Sequence, residues 1–406
     1  MSLQLLVFSI IIGNAFAFAI LGGRKATNSK TLLQLCSHES KPQSQDVGNL
    51  DQQRRKALNL VFSSAAYLTA VYPGESSAID TSDGDNMDYK SLDESLTIPL
   101  QWIPSLNAYV IYFYLYNDQP EKFGAILDTG SPFLTVPSYC NRFQWGCYRP
   151  ELTKDSGYKN TVERFDNKVG TVVWRKSSFS FANATGRMMG PKDLVFGVLD
   201  ESLMDGPGGV FFGLIKNTKS SIRPSFLGQL NVNSFKIDLK SKIKTLTLKT
   251  KPQIQRNDYI SLNIDLYTKY KDPVIHYCAK ACSIEVNGKE LLDLSETKRI
   301  FEKKRKPTYV IFDTGVTGMV VNKELFEERY IAARRNREKN LWGSVKISFK
   351  TNEGEIRSLV SQKPIVTPLG EQPWPGFNAN LIVVGLAFLD NHVVTVDIEE
   401  QRMHIS

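Results

Sequence analysis

Two aspartates in this chain head the same triplet, Asp128-Thr129-Gly130 and Asp313-Thr314-Gly315. A carboxylate on a tight turn is a reactive group held at a tip, and the glycine permits both the turn and a close backbone approach. Two such carboxylates, one ionised and one protonated, can take a proton from water and supply another to an oxygen. Like charges held side by side do not ionise together easily, so a facing pair shares a proton. The protons then belong to the pair rather than to either residue. The chemistry this points to is general acid–base hydrolysis with no covalent intermediate.

Bringing the two tips together requires elements on either side of each. Phe123-Gly124-Ala125-Ile126-Leu127 leads into the first triplet, and Ser131-Pro132-Phe133-Leu134-Thr135-Val136 leaves it. Tyr309-Val310-Ile311-Phe312 leads into the second, and Val316-Thr317-Gly318-Met319-Val320-Val321 leaves it. These are apolar runs of strand type. Each copy has a later partner of two apolar residues and a glycine, Phe211-Phe212-Gly213 and Val383-Val384-Gly385. One such turn arises often by chance, but two copies with the same downstream partner mark an internal repeat. Further β-type runs at 109–116, 171–174, 235–239, 259–264, 345–349 and 392–397 predict a mostly β protein. The clearest helical pattern covers 323–339, with Leu325, Phe326, Tyr330 and Ile331 as its apolar stripe.

The bulk numbers suit this reading. A chain of 406 residues exceeds one ordinary domain and accommodates two lobes with extra segments. A hydrophobic content of 42% allows a packed core and excludes wholesale disorder. The net charge of +8 lies largely in the N-terminal segment and in runs such as Lys303-Lys304-Arg305-Lys306. Such runs form solvated loops more readily than phosphate-binding patches, so no nucleic-acid partner is expected. The four histidines are scattered, and no His/Cys cluster has metal-ligand spacing, so neither a metal nor a cofactor is expected. Of the five cysteines, Cys36 falls in the N-terminal segment, while Cys140 and Cys147 suit a small disulfide loop in an oxidising compartment. Cys278 and Cys282 would be too distant to bond on a straight strand.

Residues 1–78 read as a targeting leader. An apolar run at 5–12 followed by small residues is a signal-peptide pattern, too short to span a bilayer comfortably. The polar, basic stretch 22–48 has transit-peptide composition. Arg54-Arg55 precedes an apolar stretch at 57–72 and a small-residue exit with a cut after Ala78, which is a twin-arginine pattern. In series these segments resemble the tripartite leaders of thylakoid-lumen proteins in algae with secondary plastids, where Ala15-Phe16 or Ala17-Phe18 would end the first signal. The expected location is the plastid thylakoid lumen, with secretion or a vacuole as the alternative. The mature chain would begin near Ile79 as a monomer, and no later stretch reaches membrane-spanning length. Residues 79–95 are acidic, so no long basic inhibitory prosegment is expected. The sequon Asn183-Ala184-Thr185 bears on the secretory alternative.

The two triplets and their glycine partners resemble those of pepsin-like (A1 family) aspartic proteases. Ser225-Phe226-Leu227-Gly228-Gln229-Leu230, with the strand-like 235–239 after it, is similar to the plant nucellin-type branch. The end of the chain, from Val383-Val384-Gly385 through Asp397 to Ile405, resembles the C-terminal strands of the family. The resemblance covers 95–406 in outline and is loose between 150 and 205. It implies a mostly β, bilobal pepsin-like fold, with two related β-barrel-like lobes at 79–235 and 236–406 and an active-site cleft between them. It implies an aspartic endopeptidase acting on extended polypeptide substrates through a water held between Asp128 and Asp313. Thr129 and Thr314 would brace the loops, Gly130 and Gly315 would present amides, and Ser131 would bond the first carboxylate.

Four positions depart from the family pattern. Val316 stands where a hydroxyl is usual, and Thr317 could replace it only if the turn shifts by one residue. The flap region 164–170 has Phe165 in place of the usual tyrosine. Thr135 stands where that tyrosine's tryptophan partner is usual. Gly209-Val210 replaces an Asp-Gly. These departures leave open a second function, a catalytically weak or inactive pepsin-like protein that binds a protein partner.

Overall fold

The computed structural model describes residues 95–116, 119–141, 145–165, 168–182, 188–199, 210–216, 224–262, 275–293, 306–369 and 377–406. Residues 1–78, read above as a leader, nearly all of the acidic stretch 79–95, the sequon at Asn183 and the basic residues 303–305 lie outside the described residues. Strands predominate. Two large sheets come one from each half of the chain, and a third draws on both.

The first sheet runs in the order Phe211–Gly213, Glu121–Asp128, Ala108–Leu115, Lys168–Ala182, Met188–Leu199, Thr135–Pro137. Its strands are rich in β-branched and aromatic residues, which fit a pleated, half-buried surface. Phe113, Phe123, Phe212 and Phe226 are fully buried and meet Phe179 and Phe181 in one aromatic core. Each such ring pair contributes about 0.5–1.5 kcal/mol beyond its area burial. The second sheet runs Ile356–Gln362, Ser344–Lys350, Cys278–Val286, Thr308–Phe312, Asn380–Val384, Met319–Asn322, Val366–Leu369. The third, of six strands, places Leu96–Pro99 beside Thr245–Lys249 and Ser234–Asp238, and carries Val393–Asp397 and Arg402–Ile405 from the C-terminus.

The repeat read from the sequence reappears as matching topology. Phe211–Gly213 lies parallel to Glu121–Asp128, with Gly213 opposite Asp128. Asn380–Val384 lies parallel to Thr308–Phe312, with Val384 opposite Phe312. Parallel neighbours need long crossovers, which is why each glycine partner stands so far downstream of its triplet.

The helix at 323–339 is shorter than its pattern and turned about its axis. It spans Lys323–Arg335 and closes on Asn336, and Arg337 follows with a left-handed φ of 52°. Its buried face is Leu325, Arg329 and Ala333, while Tyr330 and Ile331 are exposed. The buried Arg329 guanidinium pairs with Glu338 just past the helix end, and this pairing sets the helix rotation against the apolar preference of Ile331.

Candidate active site

Each aspartate sits where a fully buried strand ends in a turn. From Phe123 onward the strand Glu121–Asp128 is buried, and the Gly130 amide donates to Asp128 Oδ1 at 2.7 Å. The Asp128 carbonyl accepts from Leu214 N at 2.8 Å, and the Ser131 carbonyl from Ile215 N at 3.0 Å. In the second half, Gly315 N donates to Asp313 Oδ1 at 2.9 Å, Asp313 N to the Val384 carbonyl at 3.0 Å, and Leu386 N to the Val316 carbonyl at 2.8 Å. The glycine partners allow these approaches. A Cβ at Gly213 would overlap the backbone of 131–133, and one at Gly385 would overlap the Val316 carbonyl. Within the triplets, a Cβ at Gly130 would overlap the Asp313 carboxylate, and one at Gly315 would lie 2.7 Å from Asp128 Oδ1. Each loop thus presents bare backbone to the opposite carboxylate.

The threonines lock the two loops reciprocally. Thr129 Oγ accepts from Thr314 N at 2.9 Å and donates to the Phe312 carbonyl at 2.9 Å. Thr314 Oγ accepts from Thr129 N at 3.1 Å and donates to the Leu127 carbonyl at 2.9 Å. All four bonds are buried, so breaking one leaves a desolvated donor or acceptor worth about 1–3 kcal/mol.

Asp128 and Asp313 are 2% and 3% exposed, and each carboxyl faces the glycine of the opposite loop. Burial raises Asp128, and the Ser131 hydroxyl, the bond from Asp313, the Gly130 amide and the nearby His276 pull against it. Burial, the charge of Asp128 and the bond to Asp128 hold Asp313 well above the usual carboxylate range, opposed by the Gly315 amide alone. Both carboxyls are thus raised, and the pair holds a proton in common. The Ser131 hydroxyl is fully buried close to Asp128, although it does not meet ordinary hydrogen-bond geometry.

The remaining positions singled out in the sequence fall as follows. Val316 is 1% exposed and packs with Cys278, Ile311, Val320 and Val383 in an apolar cluster. Thr317 directs its hydroxyl to the Asn107 carbonyl at 3.2 Å, tying the second loop to the first half of the chain. Phe165 ends the strand Thr161–Phe165, which forms a hairpin with Lys168–Ala182. Thr135 is buried, and its Oγ accepts from Phe211 N at 2.7 Å. Val210 lends its carbonyl to Ile126 N at 2.8 Å. Cys140 and Cys147 form a disulfide, whereas Cys278 and Cys282 both lie on the strand Cys278–Val286. Among the described residues no group of His, Cys, Asp and Glu could hold a metal ion, and no helix is long and apolar enough to cross a membrane.

Sequence reasoning missed two contributors. Trp174, 1% exposed, packs edge-on against Phe133 and donates its indole N–H to Thr161 Oγ at 3.1 Å. It anchors the hairpin from the strand side, where Thr135 supplies no ring. His276 is buried within electrostatic reach of Asp128. No local pattern marks a lone histidine far along the chain, whereas Trp174 carried a signal as the one tryptophan inside a β-type run.

No family model and no curated protein matches this chain. Among solved structures it is similar to basic 7S globulin from soybean, with a TM-score of 0.51 and 13% identity, over 77% of this chain and 94% of that one. At that identity the likeness is one of fold, and the mostly β, bilobal pepsin-like architecture is the fold of this chain.

Proposed function

We propose that the chain is an aspartic endopeptidase of the pepsin-like A1 type, nearest the nucellin-type branch, with lobes at 79–235 and 236–406. The observation that carries this reading is the pair of buried carboxyls at matching loop tips, each facing the glycine of the other loop and each raised above the usual carboxylate range. In the proposed reaction one carboxylate of the pair takes a proton from a water held between Asp128 and Asp313, and the water attacks the peptide carbonyl. The other donates the shared proton to the developing oxyanion. The fixed amides and the threonine lattice hold both groups in place before substrate arrives, so little reorganisation is needed during the reaction. Substrate would lie extended, bonded mainly through its main chain, with the Thr161–Phe165 hairpin as its flap. For the leader, passage to a thylakoid lumen is proposed, and fluorescent fusions of residues 1–90 with and without Arg54-Arg55→Lys-Lys test it. Unchanged secretion by both fusions removes the plastid route.

The chain beginning at Ile79, incubated with a denatured protein at mildly acidic pH, tests the enzyme. Cleavage that pepstatin blocks and that Asp128→Asn or Asp313→Asn abolishes is the expected result. Absence of turnover at every acidic pH rejects it. The second reading is a catalytically silent pepsin-like protein that binds a protein partner. It is favoured by Val316, whose apolar packing leaves Asp313 without the hydroxyl that Asp128 has, and by likeness in fold to basic 7S globulin.

A further inference from the structure

The structure assigns a positioning role to Tyr277, a residue outside both triplets that closes a ring of hydrogen bonds through the first triplet and the residue before the second. The inference rests on the dyad reading above. Tyr277 is 4% exposed and directly precedes the strand Cys278–Val286. Its hydroxyl donates to the Leu214 carbonyl at 2.5 Å. Leu214 N in turn donates to the Asp128 carbonyl at 2.8 Å. One peptide bond on, Thr129 Oγ donates to the Phe312 carbonyl at 2.9 Å, and Phe312 N returns to the Tyr277 carbonyl at 3.0 Å.

The circuit passes through Asp128 and Thr129 of the first triplet and through Phe312, the residue before the second, and Tyr277 joins it through both its side chain and its main chain. The ring of Tyr277 meets Phe235 edge-on at 5.3 Å. It also lines, with Phe235, Phe312 and Met403, a small apolar cavity directly beneath Thr129 and Thr314. The hydroxyl is thus aimed by packing, and burial pushes its pKa up, so it remains a donor throughout the acidic range. Through Leu214 it sets the height of the Asp128 loop, and through Phe312 that of the Asp313 loop. The separation of the two carboxyls, and hence the strength of their coupling, follows from both.

Tyr277→Phe keeps the ring and removes the O–H. Tyr109→Phe is the control, since it removes another buried hydroxyl, bonded to Asp390 at 3.0 Å and outside the circuit. Both are compared with wild type by pH–rate profile and by amide hydrogen exchange. In Tyr277→Phe the expected kcat falls about tenfold with KM within about twofold, as misplacement of reacting groups does. The bell-shaped profile narrows because weaker coupling brings the two apparent pKa values together. Exchange at the Thr129 and Thr314 amides rises about tenfold or more, on both sides of the pair. Tyr109→Phe changes none of the three. A profile and kcat for Tyr277→Phe equal to those of wild type overturn the role. Should the wild type not cleave protein at all, the proposed function fails on its own, and the exchange measurement decides the ring. Unchanged protection at Thr129 and Thr314 then overturns it.

Discussion

At the scale of single residues, the two triplets are alike in sequence and unequal in support. Asp128 has a hydroxyl beside it in Ser131, and Asp313 has Val316 at the matching place. The Val316 backbone is fully committed, its N–H to the Asp313 carbonyl at 3.1 Å and its carbonyl to Leu386, so the turn cannot slip to bring Thr317 into reach. Thr317 is bonded to Asn107 instead. Valine and threonine share a shape, and a hydroxyl at 316 can stand to Asp313 as Ser131 stands to Asp128. It would favour the ionised form of Asp313 and so lower the upper apparent pKa of the pair. Val316→Thr is therefore expected to move the high-pH limb of cleavage toward acid. It would cost about 1–3 kcal/mol of stability, because the new polar atom enters an apolar cluster. A pH–rate profile beside a denaturation curve reads both, and an unmoved limb would show that the hydroxyl faces the cluster. The asymmetry itself was legible from the letters Ser131 and Val316. What Thr317 does was not, because it depends on a carbonyl distant in the chain.

At the scale of elements, the strands flanking the triplets and their parallel partners were legible because the apolar runs are continuous and the repeat states them twice. The hairpin was legible only as a departure. With neither the tyrosine nor the tryptophan usual in pepsin-like proteases, no motif says what holds it, and the ring that does, Trp174, comes from the opposite strand. The helix at Lys323–Arg335 was misjudged in its face for a related reason. A buried Arg329–Glu338 pair outweighs two apolar side chains, and hydrophobic periodicity cannot see an ion pair. If Trp174 fixes the base of the flap, Trp174→Phe removes the bond to Thr161 while keeping an aromatic side chain against Phe133. The smaller ring and lost donor are expected to cost about 1–3 kcal/mol. Substrate affinity should suffer more than the chemical step, because Trp174 is bonded to the hairpin and not to the aspartates. Steady-state kinetics on one peptide check this through KM rising while kcat holds. A fall in kcat with KM unchanged would place Trp174 in the dyad's support instead.

At the scale of the whole molecule, two sets of acids pull stability in opposite directions as pH changes. Burial pushes Asp258 up, but His404, Arg256 and Arg357 together bring it below the usual range. Burial likewise opposes Asp238, which the Ser241 hydroxyl and the amides of Ser241 and Lys240 lower. Glu338 is lowered chiefly by its bond from Arg329. These groups bind protons less readily when folded, so their contribution is present above about pH 4 and is lost as pH falls through their folded values. The dyad does the reverse. Asp128 and Asp313 are raised by burial and by each other, so the folded protein binds their protons more tightly than the unfolded chain does. Their contribution is complete below about pH 4 and is lost as pH rises through their folded values. Asp313→Asn retains the shape and a donor toward Asp128 and cannot ionise. Its Tm is expected to match the wild type near pH 3 and to exceed it increasingly toward pH 7, by about 2 °C or more for each kcal/mol of relieved strain. Thermal denaturation at stepped pH measures the difference directly. A constant offset between the two curves would mean that the carboxyls are not raised in the folded state. The carboxyl pair would then lack the stored electrostatic cost on which its shared proton depends.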